Sequence, residues 1–106
     1  MTKIIHVASA FAKSPGGRYR SDGPFSGERF REEYLVPAFS SHEFVEVSLA
    51  GTLGLGSSFL DEAFGGLVRE CGFTPAELHR RLKIESPLAT YKQRVWRYVD
   101  EARAVA

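Results

Sequence analysis

A chain of 106 residues is the size of one domain, and it can bury a working core without disulfides or metal. Hydrophobic residues make up 43% and charged residues 25%, and eight Phe, four Tyr and one Trp supply bulky core material, the composition of a soluble globular protein. The formal net charge of +1 gives no reason to expect nucleic acid or an anionic membrane as a partner.

Lys3 to Val7 reads as a strand, because Ile4, Ile5 and Val7 are β-branched. A second short strand is expected over Gly17 to Arg20. The turn formers Ser21-Asp22-Gly23-Pro24 would close it into a hairpin. Ser26 is a good N-cap for the first helix, on which Phe30, Tyr34 and Ala38 share a face. Pro37 is expected to end or kink that helix. Phe44 to Leu49 alternates as a strand does, with Val45, Val47 and Leu49 on one side. A glycine-rich connection, Gly51 to Gly56, leads to the clearest helix, where Leu60, Ala63, Phe64, Leu67 and Val68 follow helical spacing. Gly65 and Gly66 lie inside it at about 1 kcal/mol each, which predicts a close backbone approach there to the sheet or to a partner. Gly72 is its stop signal.

Thr74, Pro75 and Glu77 form a strong start for a third, short helix ending near Leu82. Lys83 to Ser86 reads as a brief strand. A last helix is expected from about Leu88 to Arg103, with Leu88, Tyr91, Val95, Val99 and Ala102 as its apolar stripe. The expected fold is α/β: one domain over residues 1–106, a small mixed sheet packed with about four helices. Val45, Val47, Leu49, Leu60, Phe64 and Leu67 are its predicted core.

The segment from Gly51 to Val68 joins a strand directly to an amphipathic helix and places Ser57 and Ser58 at the helix N-terminus. Free backbone amides there can hold an anion, and a phosphoserine would be favoured by the helix dipole. The residues alone read first as a simple cap, with one serine capping the helix. Ser58 with Asp61 makes a capping-box-like pair.

The strand Val45-Glu46-Val47-Ser48-Leu49-Ala50-Gly51, followed by Gly56-Ser57-Ser58 and an apolar helix, resembles the core of a STAS domain. Two segments are closer to the STAS-like domain of unknown function. They are Gly56-Ser-Ser-Phe-Leu-Asp-Glu-Ala-Phe-Gly-Gly-Leu67 and Ser21-Asp-Gly-Pro-Phe-Ser-Gly-Glu-Arg-Phe-Arg31. The resemblance covers roughly residues 14 to 105. In anti-sigma-factor antagonists the matching place reads Asp-Ser-Ser-Gly, and a partner kinase phosphorylates a serine in it. The first serine maps to Ser57. This chain has Gly56 in place of the aspartate, Phe59 in place of the glycine, and Ser48 where an aspartate is common in the strand.

The resemblance implies a STAS-like sandwich and a non-catalytic, protein-binding module. It would be a phospho-switch in a partner-switching system with a GHKL-type ATPase or kinase, or an anti-sigma-like regulator. Ser57 and Ser58 are then the candidate phosphoacceptors, and Phe59, Asp61 and Glu62 the candidate contacts. Arg18, Arg20, Arg29 and Arg31 make the chain locally basic and read first as solvated surface arginines; a partner-docking patch is the alternative, with Arg18 and Arg20 as its candidates, because arginine suits carboxylate and phosphate. A homodimer is a further candidate assembly. The runner-up function is small-molecule, nucleotide or anion sensing by the Gly51–Ser58 loop. That loop lacks the Lys-Ser/Thr ending of a P-loop and the third glycine of a dinucleotide fingerprint.

No catalytic constellation emerges. His6, His42 and His79 share no ligand spacing, so no metal or other cofactor is expected. Cys71, the single cysteine, cannot close an internal disulfide, which fits a reducing compartment; it reads as a small core residue. Asp61 and Glu62 point roughly 100° apart on a helix and make no carboxylate dyad. Met1-Thr2-Lys3 does not open a secretory signal, and no apolar run approaches the ~20 residues that span a bilayer. The expected location is the cytoplasm, away from membranes.

Overall fold

A computed structural model describes residues 1–103. Three strands, β1 (Thr2–His6), β2 (Phe44–Ser48) and β3 (Leu82–Glu85), form one sheet in the order β1-β2-β3. Both pairings are parallel, aligning Ile5 with Val47 and Val47 with Ile84. The expected sheet was mixed. The difference lies in the segment Gly17 to Arg20, which forms no strand. Arg20–Asp22 is instead a single 3₁₀ turn, held by the Asp22 carboxylate accepting from the Tyr19 N–H at 2.9 Å. Without that hairpin, helical crossovers make every connection between strands, and crossovers leave strands parallel.

Helix α1 (residues 27–41) begins at Ser26, whose hydroxyl accepts the Arg29 N–H at 3.2 Å. Its middle, Arg31–Leu35, widens into a π turn, with the Val36 N–H reaching the Arg31 carbonyl. The helix runs past Pro37 to Ser41. The wide turn lies immediately upstream of that proline, whose missing N–H removes one ordinary helical bond. Helix α2 (residues 57–69) also carries a π turn, Asp61–Gly65. A separate π turn, Val7–Phe11, follows β1, where Val7 had been expected to extend the strand.

Helix α3 (Pro75–Arg81) is capped as expected by Thr74, which accepts from the Glu77 N–H at 3.0 Å. The Glu77 carboxylate pairs with Arg81 at 2.8 Å. Helix α4 (Ala89–Glu101) buries Val95 and Val99, and Ala102 lies buried just past its end, while Leu88 is exposed outside the stripe.

The helices collect on one face of the sheet. Ile5, Val45, Val47, Leu82 and Ile84 point into that layer and are buried, as are Leu49, Leu60, Phe64 and Leu67. The predicted core residues all lie there. On the other face Ile4 is 49% exposed and Phe44 38% exposed, with Lys83 also open to solvent. Right-handed crossovers between sequentially ordered parallel strands place successive helices on the same side, which leaves this face uncovered. Among the described residues no helix is long and apolar enough to cross a membrane.

Candidate functional site at the start of helix α2

β2 leaves the sheet through Leu49 and turns twice before the helix begins. Gly51 (φ +83°) and Gly54 (φ +73°) adopt left-handed backbone, which residues with a Cβ rarely take. The loop is stitched to its surroundings by its own amides. The Leu53 N–H donates to the Lys13 carbonyl at 2.7 Å, and the Leu55 N–H donates to the Tyr91 hydroxyl at 3.3 Å. The Thr52 hydroxyl donates to the Leu49 carbonyl at 2.7 Å. Leu55 is buried, but Leu53 stands 69% exposed.

Gly56 is the N-cap of α2, and the Leu60 N–H closes the first helical bond to its carbonyl at 3.2 Å. The expected serine cap is absent: Ser57 and Ser58 occupy the first two helical positions, and neither hydroxyl accepts a cap bond. Both residues are exposed. Their amides and that of Phe59 precede the first helical bond, at the positive end of the helix dipole.

Phe59 turns the other way. It is fully buried against Phe30 and Phe11, with ring centroids 5.9 and 6.3 Å away. It is therefore a core residue and not the exposed contact expected from the sequence. A helix turns about 100° per residue, so two exposed serines bring the third position round to the sheet side.

Asp61 and Glu62 are also drawn into the fold. Arg18 Nη1 lies 3.0 Å from Asp61 Oδ2 and 3.3 Å from Glu62 Oε1. Arg69 reaches Asp61 Oδ1 at 3.0 Å and Glu62 Oε1 at 3.5 Å. The innermost member is Arg31, whose Nη1 donates to Glu62 Oε2 and to the Glu62 carbonyl, both at 2.7 Å. Arg31 and Glu62 are 4% and 5% exposed. Burial works against the charge of Arg18, but its hydrogen bonds to Asp61 and then Glu62 outweigh that and hold its pKa above the ordinary value.

Three arginines thus serve two carboxylates, and the two π turns face each other across the pair Arg31–Glu62. Gly65 and Gly66 make room for this cluster. A Cβ on Gly66 would land on Arg31 Nη1, and one on Gly65 would come within 2.7 Å of Asp61 Oδ1 and 2.8 Å of Arg69 Nη1. The close approach at the two glycines is to side chains of this cluster, and not to the sheet or to a partner as expected. Arg69 was not among the candidate residues, and Arg31, expected in a basic surface group, is instead buried against Glu62. The Gly-Gly pair one turn beyond two carboxylates was the available signal.

Arg20 stands apart from this end of α2. Its guanidinium pairs with Glu32 at 2.9 Å and Glu33 at 3.0 Å on α1. The hydrogen bonds from Arg20, then Arg29, hold the Glu33 carboxyl below the usual carboxylate range. Cys71 is an exposed residue and not a core one. Partial shielding of its thiol from water pushes its pKa up, with the nearby Arg31 charge opposing. A raised pKa lowers the thiolate fraction, which is the reverse of an activated nucleophile.

The family model of the STAS-like domain of unknown function matches residues 26–89. The chain belongs to this family. The match runs from the cap of α1 to the first residue of α4, and so includes both serines, Arg31, Glu62 and the two glycines. It leaves out β1, Arg18 and nearly all of α4. No curated protein and no solved structure matches the chain. The α/β architecture with its helices on one sheet face is consistent with a STAS-like fold.

Proposed function

We propose that this STAS-like domain is a non-catalytic regulatory module that binds a protein partner, with Ser57 as its switch and Ser58 as the second candidate phosphoacceptor. One observation carries the reading: two exposed serines with free hydroxyls open a long buried helix directly after the central strand. A phosphoryl group there adds about −1.5 to −2 charges at the positive end of a helix dipole. The two acidic residues in the next turn would oppose such a charge, but both are already paired with arginines. The added charge would therefore face outward and not compete inside the fold. The proposed partner is a cytoplasmic kinase or GHKL-type ATPase, or an anti-sigma-like regulator, that prefers one phosphorylation state. Differential affinity is what sets such a switch. The loop offers the sensing alternative fewer amides, because those of Thr52, Leu53 and Leu55 are bonded within the fold.

The test is affinity capture from the native lysate with wild type, Ser57→Asp and Ser57→Ala, read by quantitative mass spectrometry, together with phosphopeptide analysis of the endogenous chain. The expected results are a phosphoryl group on Ser57 or Ser58, and at least tenfold different recovery of one partner between the Asp and Ala variants. Equal recovery with all three proteins would overturn the switch.

A further inference from the structure

A groove of about 680 Å³ opens beside the amino ends of the strands, the end of the parallel sheet opposite Ser57. Phe44, Glu46 and Lys83 line it from the uncovered sheet face, Arg80 from the end of α3, and Lys92 and Trp96 from α4. The volume is that of a small-ligand site. Its charge is one-sided. Four cations, Arg80, Arg81, Lys83 and Lys92, line it against one carboxylate, Glu46.

Arg81 is tied down by Glu77 and by the carbonyls of Phe39, His42 and Glu43. The other three are available. Among the described residues, Arg80 has only Glu43 at 3.9 Å, both ends exposed. Among the described residues, Lys83 and Lys92 have no carboxylate within 4.0 Å. Beside them Trp96 is held in place: it stacks on His79 at 4.1 Å and 17°, and His79 is anchored by Asp100 at 2.7 Å. The result is a fixed aromatic wall with Phe44 and unpaired ammonium groups within one groove.

We infer that this groove binds a small anion carrying a planar ring, the ring lying against Trp96 and Phe44 and the negative group meeting Lys83 and Lys92. Apolar walls with a few convergent polar groups are the usual build of a ligand site, and the excess of cations selects the sign of the ligand. The inference stands apart from the Ser57 switch. Lys92 and Trp96 lie beyond the residues that match the family.

Trp96 is the only tryptophan, so one indole N–H signal in a two-dimensional NMR spectrum reports on the groove. The probes are 1-naphthyl phosphate and 1-naphthoate, with 1-naphthalenemethanol as the uncharged comparison. Saturable shifts of the Trp96 signal are expected with an anionic probe at Kd of about 1 mM or tighter. The alcohol should bind at least tenfold more weakly. The double variant Lys83→Gln/Lys92→Gln should bind the anion at least tenfold more weakly with the remaining spectrum unchanged. Whichever anion binds tighter names the headgroup, phosphate or carboxylate. No saturable Trp96 shift, equal binding of the alcohol, or shifts centred on residues 51–58 would overturn the inference.

Discussion

Replacing Gly66 with alanine tests the arginine–carboxylate cluster directly. The new methyl group would occupy the place of Arg31 Nη1, with Cζ at 3.0 Å and Cδ at 3.1 Å. An exposed arginine would swing away at little cost. This one is buried and donates twice to Glu62 at 2.7 Å, so moving it breaks a buried ion pair. Breaking such a pair costs about 3–5 kcal/mol, and alanine returns about 1 kcal/mol over glycine in a helix. The expected loss is about 2–4 kcal/mol, a large part of the stability of a small domain. Urea unfolding followed by Trp96 fluorescence measures it, provided the slope m stays unchanged. A second comparison isolates the cause. In an Arg31→Met/Glu62→Gln background the charged pair is gone, and Gly66→Ala should then be neutral or stabilising. Wild-type stability for Gly66→Ala alone would refute the reasoning, as would an equal penalty in both backgrounds.

Phe64→Ala should lose about 3–5 kcal/mol in the same assay, because Phe64 is fully buried and packs near Phe30 of α1. Ser57→Ala should cost little, since no cap bond is lost, while Ser57→Asp should gain about 0.3–1 kcal/mol from the helix dipole. Leu53→Ser should leave stability unchanged and weaken partner capture, because Leu53 is the exposed apolar residue of the loop before Ser57. Glu33 has its pKa lowered by Arg20 and Arg29, so its contribution is present above the unfolded carboxylate range and is lost as pH falls through its folded pKa. Stability of Glu33→Gln should therefore depend less on pH than wild type between about pH 5 and pH 3.

Periodicity made the larger elements legible. β2 alternates because one of its faces is buried, and that pattern placed Val45 and Val47 correctly. Thr74-Pro75 and Glu77 mark a helix start by local chemistry alone, so no tertiary information was needed there. The segment Gly17 to Arg20 failed as a strand because its structure is set from outside. Gly17 and Arg18 offer their carbonyls to the amides of Gly27 and Glu28, a pairing with a helix start that no local pattern announces. The arginine cluster was hidden for a similar reason: Arg18, Arg31 and Arg69 are far apart in sequence and meet only when α1 packs on α2.

Phe59 is the most instructive residue, because the information was present. Extended one turn back, the apolar spacing of α2 reads Phe59, Leu60, Ala63, Phe64, Leu67, a continuous face two residues wide. That spacing assigns Phe59 to the core and leaves Ser57 and Ser58 outside, as the structure has them. The Asp-Ser-Ser-Gly pattern of the anti-sigma-factor antagonists has glycine at that place, and with glycine the helix start is free of this constraint. Here a buried aromatic ring pins the first turn of α2 to Phe30 and Phe11. Charge added at Ser57 would then leave the helix start where it is, and a partner would have to sense the phosphoryl group itself together with the loop beside it. A switch built on this end of α2 works by altering surface chemistry and not by moving the helix.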